Sequence, residues 1–465
     1  MKLKNHQRSI LLVSCYELGH QPAGIAFAAG FLHRAGYSTA AMDVSVEGFD
    51  AEKIKRARFV AISVPMHTAL RLGARVAEAI RRLNPACHIC FYGMYASLNS
   101  DYLLSEFADS IIGGEVEQSL VALVESIDTD RATDIAGVTT RNKKSLPVLE
   151  RLNFAAPDRS SLPSLDRYAR LAFKGEERLA GYVEASRGCL HHCAHCPIPS
   201  VYDGRFFAVP REIVLQDIRG LVERGARHIT FGDADFLNGP THSLRITGAM
   251  HEEFPHVTFD FTAKVEHILK HKDLFSDFAR SGCVFVVSAV ESLSDAVLSR
   301  LDKGHTRDDI FEALRIVRGA GVALRPSFVA FTPWTAIDDY IDMLEFIEAN
   351  DLIDHVDAVQ YSIRLLVPPG SVLLSQSDSQ TWIGPLNQES FTYEWRHEDA
   401  RMDELHREVS RVVETAATKN EDAMETFYRV REMAYLARGD APPVRLKQVS
   451  PLRLRPPRLT EAWFC

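Results

Sequence analysis

No apolar run in this 465-residue sequence is long enough to cross a bilayer as a helix. The start does not read as a secretory signal either, because Met1-Lys2-Leu3-Lys4-Asn5-His6 runs straight into a strand-like segment. Cysteine is scarce: eight residues are too few for the disulfide scaffold of a secreted protein of this length. Positive charge is in deficit, with 53 Lys and Arg against 62 Asp and Glu, a net charge of -9. That balance argues against a general nucleic-acid or anionic-membrane binder. The expectation is a cytoplasmic protein that acts on a small molecule, with no nucleic-acid and no membrane partner.

What is present is alternation of strand and helix. Ser9–Ser14 and Phe59–Val64 are continuous apolar runs, as expected of strands buried on both faces. Helical spacing from Pro22 to Leu32, and again from Leu72 to Leu83, falls between such runs. Residues 1–127 therefore read as a Rossmann-like, doubly wound α/β domain. Residues 128–178 carry proline-bearing polar stretches and read as a linker. Between 179 and 374 the period lengthens, with strands expected at 181–186, 228–232, 257–262, 284–289, 322–330 and 356–363. Six such units suggest a partial (β/α)6 barrel of TIM type, with its reactive groups at the C-terminal ends of the strands. Residues 375–465 read as a helical extension with a basic, proline-rich tail ending in Trp463-Phe464-Cys465.

The chemistry concentrates after the first barrel strand. Cys189, Cys193 and Cys196 stand in a C-x3-C-x2-C spacing on one short loop. Three soft thiolates so close together suit three irons of a cubane [4Fe-4S] cluster, leaving the fourth iron open. The competing reading is a structural zinc site with His191, His192 or His195 as fourth ligand. Zinc sites usually draw on two half-sites separated by a longer loop, and no second half-site follows here.

The cysteine loop resembles the signature of the radical SAM superfamily. That resemblance implies S-adenosylmethionine chelated at the open iron and an electron donor such as flavodoxin or ferredoxin. It also implies roles for the other strand ends. Gly232, Asp233 and Asp235 match the segment that receives the methionine amino group, in the form found in the B12-type branch. Ser288, Glu291 and Ser292 close the fourth strand, where the family binds the ribose. Arg325 would meet the methionine carboxylate, an anionic substrate or a neighbouring Asp. The first domain resembles the cobalamin-binding domain that precedes many such barrels, through Pro22/Gly24, Asp43, Tyr92-Gly93 and Gly113-Gly114-Glu115. The D-x-H-x-x-G motif of that domain is absent: His20 follows Gly19 with no Asp two positions before it. Cobalamin would then bind without a histidine ligand, or has been lost.

The C-terminus resembles a branch of B12-type radical SAM proteins whose tail reads C-C-A-E-P or C-U-A-E-P, U being selenocysteine. A relative of that branch acts in arsinothricin biosynthesis. Cys465 would match the first chalcogen residue and take a catalytic part. The expectation is a reading frame closed at a UGA codon meant for selenocysteine. The function implied is reductive cleavage of S-adenosylmethionine that drives transfer of a methyl or 3-amino-3-carboxypropyl group to a small molecule, with arsenic a candidate acceptor. Cobalamin-independent rearrangement, oxidation or thioether formation is the alternative, and a non-enzymatic metal or redox sensor is the third.

Overall fold

Short, mostly apolar runs make the centre of the first layer. In a computed structural model, which describes residues 9–131, 134–444 and 453–461, they form β1 (Ile10–Ser14), β2 (Thr39–Asp43), β3 (Phe59–Ser63), β4 (His88–Tyr92) and β5 (Ser110–Ile112). These five are parallel, β6 (Val138–Thr139) joins antiparallel, and the order is β2-β1-β3-β4-β5-β6. Side chains alternate across the sheet. Leu11 and Val13 pack with Leu70, Ala77 and Ile80 of the helix His67–Leu83. Ile10 and Leu12 pack with Ile25 and Ala29 of the helix Ala23–Arg34 and with Leu120 and Val124 of the helix Glu117–Thr129. Helices on both faces explain why these strands carry no polar face.

The second sheet is a curled half-barrel. It begins with β7 (Arg170–Phe173) antiparallel to β8 (Glu176–Val183). The short strands β9 (Ser186–Gly188) and β10 (Phe206–Ala208) pair with each other and close off the cysteine loop between them. Beside β8 lie β11 (His228–Phe231), β12 (Thr258–Thr262), β13 (Cys283–Glu291) and β14 (Ala323–Phe328), all parallel. Period-two alternation splits its faces. Phe259 and Phe261 point outward onto Phe278 of the helix Phe275–Arg280, with ring centroids 6.4 and 5.1 Å away. Tyr182, Thr230, Asp260 and Phe285 stand side by side in register and line a cavity inside the curl.

The sixth strand expected at 356–363 is reduced to one parallel bridge between Phe331 and Arg364, and 3₁₀ turns occupy Ile353–His355 and Ala358–Tyr361. Side chains take over the edge of β14. Gln360 Oε1 accepts the Phe328 N–H at 2.8 Å, and Asp357 holds Arg325 with both oxygens at 2.9 Å. The Phe328 N–H is thereby taken from the ladder that a further strand would use.

The stretch expected to link the two sheets is packed against both. The Asp158 N–H bonds to the Ala26 carbonyl at 2.8 Å, and Arg159 is buried in a two-pronged pair with Asp217, at 2.7 and 2.8 Å. After the barrel comes a hairpin, β15 (Ile383–Asn387) and β16 (Thr392–Trp395), absent from the sequence reading. The expected helical extension is present as Ala400–Lys419 and Ala423–Arg438. A last strand, β17 (Arg458–Leu459), pairs antiparallel with β7, while the Pro457 carbonyl meets Arg325 of β14 at 3.4 Å. The tail thus touches both edges of the half-barrel. Cys465 lies outside the described residues, and so does the UGA-codon reading of the tail. No helix among the described residues is long and apolar enough to cross a membrane.

Candidate active site

Backbone bonds anchor the cysteine loop at several points. The Cys189 N–H donates to the Arg205 carbonyl at 3.1 Å and the Ala194 N–H to the Leu301 carbonyl at 2.8 Å. Cys189 and Cys193 are buried, and Cys196 is partly exposed. Asn238 Nδ2 donates to Cys189 Sγ at 3.6 Å, while its Oδ1 accepts the Leu190 N–H at 3.3 Å. Burial pushes the Cys189 thiol up and the Cys196 thiol to about 12, so both hold protons unless a cation displaces them. A coordinated metal reverses that preference and binds thiolate.

The three histidines of the loop have other neighbours. His195 Nε2 lies 3.2 Å from Glu291 Oε1. His191 Nε2 lies 3.2 Å from His267 Nε2 and 3.6 Å from Asp235, whose Oδ2 is 2.8 Å from His267 Nδ1. His191, Asp235 and His267 bring donor atoms within 4.8 Å of one another. His192 packs on Gly204, where an added Cβ would fall 2.5 Å from its Nε2.

Glu291 ends β13 with φ +66, a left-handed conformation that costs a non-glycine residue energy and marks functional sites more often than others. Burial alone would raise its carboxyl. Lys303, at 3.2 Å, and His195 outweigh that and hold it well below the usual carboxylate range. Lys303 is itself buried and feels the Cys193 and Cys196 sulfurs. It is absent from the sequence reading. Its one local sign is a loop position before Gly304, between the helices Asp295–Arg300 and Arg307–Gly319. Arg187, two residues before Cys189, is also absent from that reading. It reaches Glu115, Glu117 and Glu184 at 3.3, 2.7 and 3.0 Å and so ties the first domain to the cysteine loop.

The other candidates divide into two groups. Asp233 accepts the Ala185 N–H at 3.0 Å and the Ser186 hydroxyl, and Asp235 caps Leu237 N–H at 3.0 Å, so both carboxylates brace the chain around the cysteines. Burial pushes the Asp233 carboxyl up to about 7, against those bonds. Gly232 leaves room for Tyr182, whose ring would lie 2.1 Å from an added Cβ. Gly232, Asp233 and Arg325 line the inner cavity of about 130 Å³. Ser292 Oγ accepts the Ser294 N–H at 3.1 Å, and Ser288 is fully buried with no partner for its hydroxyl among the described residues. Among the described residues, no bond brings those two serines to the cysteine thiols.

A cysteine-bearing loop at the mouth of a parallel half-barrel, with buried charge at the neighbouring strand ends, has a known counterpart. Residues 183–347 match the family model of the radical SAM superfamily. The chain is 23% identical over 325 residues to the hopanoid C-3 methylase of Methylococcus capsulatus, covering 68% of this chain and 62% of that protein. It therefore spans less than two thirds of that relative. Among solved structures, the cobalamin-dependent S-adenosylmethionine radical enzyme OxsB with aqua-cobalamin bound superposes with a TM-score of 0.72 at 15% identity, over 92% of this chain and 73% of that one. The radical S-adenosylmethionine methyltransferase TsrM from Kitasatospora setae follows at 0.60 and 16%, over 74% and 71%. At these identities the two structures establish the shared fold of both layers, and the radical SAM match rests on the segment that carries the cysteines.

Proposed function

We propose that the chain is a radical SAM enzyme that cleaves S-adenosylmethionine reductively and transfers a carbon group from it to a small molecule. The observation that carries this reading is that the loop histidines have partners other than the three thiols: His191 and His195 are engaged with Asp235, His267 and Glu291, and His192 packs on Gly204. Cys189, Cys193 and Cys196 fit a cluster with one open iron better than closed tetrahedral zinc. When bound, such a cluster supplies one electron to the sulfonium of the chelated S-adenosylmethionine. Lys303 offsets the negative charge of the thiolates, and the Asp235–His267–His191 contacts fix the loop between two of them. Glu291 presents a buried, ionised carboxylate suited to a hydroxyl or ammonium partner. The electron would come from a donor of the flavodoxin or ferredoxin class.

The fold shared with enzymes solved with cobalamin supports a corrinoid on the first domain, bound without His20 as a ligand. His20 is stacked on Tyr182 with ring centroids 4.5 Å apart and is directed into the half-barrel. The glycines of the cobalamin-like pattern face protein. An added Cβ on Gly113 would fall 2.6 Å from Ser97 Oγ, and one on Gly114 would fall 2.2 Å from the Val148 carbonyl. Fully buried Tyr92 reaches the Gly24 carbonyl at 3.3 Å beneath the helix Ala23–Arg34. The group transferred is methyl or 3-amino-3-carboxypropyl, with cobalamin a candidate carrier for methyl. The arsenic acceptor rests on the tail around Cys465 and is a question for substrate assays.

The deciding experiment is anaerobic iron–sulfide reconstitution with dithionite and S-adenosylmethionine, read by product. 5′-Methylthioadenosine supports aminocarboxypropyl transfer and 5′-deoxyadenosine supports adenosyl-radical chemistry. Cys193→Ala is expected to lose the cluster absorbance and at least 100-fold in cleavage. Cleavage that survives in this variant refutes the assignment.

A further inference from the structure

The cavity inside the half-barrel is walled by three parts of the chain far apart in sequence: the sheet, the loop after β1 that carries His20, and the tail that carries Glu461. Four carboxyl groups and one guanidinium line it: Asp233, Asp260, Asp357, Glu461 and Arg325. Three of the carboxyls are already engaged. Asp357 is paired with Arg325, Asp260 accepts from Thr230 at 2.7 Å and faces His228 at 2.7 Å, and Asp233 holds Ala185 and Ser186. Glu461 makes no hydrogen bond or ion pair with any described residue.

The seat of Glu461 is built. Gly19 adopts φ +70, and an added Cβ there would fall 2.5 Å from Glu461 Cγ, so only glycine leaves the notch that its stem fills. The residues before it are tied down. The Thr460 N–H donates to the Arg170 carbonyl at 2.8 Å, Thr460 Oγ1 accepts the Arg170 N–H at 2.9 Å, and Leu459 pairs with Leu171 across β17 and β7. His20, beside it, adds no positive charge, because burial lowers its pKa to about 4. Among the described residues that line the cavity, Glu461 is the one carboxyl group without a partner, its pKa raised by burial, and the Tyr182 ring, stacked on His20 on one face, lines the same cavity. Both features suit an organic cation.

We propose that Glu461 is a specificity-determining residue that selects a small substrate carrying an ammonium group, held in this cavity between the tail and Tyr182. What happens to that guest rests on the radical SAM reading above, whereas its charge does not. The test uses the full-length reconstituted protein and three probes of like size and different charge: n-propylammonium, 1-propanol and propionate, at pH 7.5. Binding is measured by equilibrium dialysis, and S-adenosylmethionine cleavage is assayed on the same preparations. The expected result is n-propylammonium binding at least 10-fold tighter than either other probe, with Glu461→Gln losing that preference and Glu461→Asp retaining part of it. Equal binding of the three probes by the wild type, or an ammonium preference that survives Glu461→Gln, overturns the proposal. The wild-type series decides even where a variant does not fold. An ammonium preference without any cleavage would sink the radical SAM reading and leave this one standing. Cleavage without the preference would do the reverse.

Discussion

Glu17 illustrates how single residues report on the way the two layers meet. Its Oε2 accepts the Ala23 N–H at 3.1 Å at the start of the helix Ala23–Arg34, while Oε1 is buried with no partner among the described residues. Burial first, then the negative charges of Glu184 and Asp43, push the carboxyl up to about 8. The folded pKa thus lies above the unfolded value of 4.5, and between the two the folded state holds a proton that the unfolded chain has released. The contribution of Glu17 to stability therefore falls as pH rises through that window. Glu17→Gln keeps the acceptor and removes the ionisation. It should match the wild type near pH 4.5 and exceed it by about 3 kcal/mol at pH 8.5, an order-of-magnitude figure below the limit set by the shift. Urea midpoints at the two pH values check it, and a difference that does not grow with pH refutes it. Glu17 shows as an acid in an apolar sequence context, but its burial depends on the second sheet covering the loop after β1.

At the scale of elements, the packed segment 134–169 does more than connect. Arg159 crosses from it into the barrel, where its Nε and Nη2 meet Asp217 on the helix Arg211–Glu223, Nη1 meets Gln21, and Nη2 also meets the Tyr182 carbonyl. Both members of the ion pair are under 5% exposed. Removing one partner of such a pair leaves a charge buried alone, so Arg159→Met should cost about 3–5 kcal/mol. Asp217→Asn added to it should recover part of that loss. Denaturant unfolding of the single and double variants checks both, and additive losses would show that the pair is not coupled. This element also shows where local reading stops. Pro157 and Pro163 announce irregular backbone. That irregular backbone packs when a buried arginine has a carboxylate waiting for it, and Asp217 is 58 residues away. The sixth barrel strand fails for a related reason. The apolar pattern at 356–363 is real, but the Gln360 side chain takes the Phe328 N–H at the edge of β14, and Asp357 is spent on the Arg325 guanidinium.

Taken whole, the molecule has the two-layer arrangement of enzymes solved with cobalamin, joined through Arg187 and its three glutamates. The expected outcome is that the reconstituted chain retains hydroxocobalamin after gel filtration together with iron and sulfide. Absorbance spectra of the eluted protein check this. A protein fraction free of cobalamin would remove corrinoid-dependent methyl transfer from the candidate reactions.

The sequence by itself determined the doubly wound first layer, the parallel barrel strands and the cysteine triplet. Each is written in short-range pattern: period-two and helical spacing, and three thiols within one loop. The tertiary structure alone decided what surrounds those thiols and what closes the cavity. Lys303, His267 and Arg187 come from a loop, a helix and a strand and acquire meaning only through burial beside partners remote in sequence. The seam between β7 and β14 is closed by a tail that reads as extended and polar until Gly19 offers its notch. Local spacing fixes which atoms could bind a cluster, while long-range packing fixes which charges they meet and which guest the cavity admits.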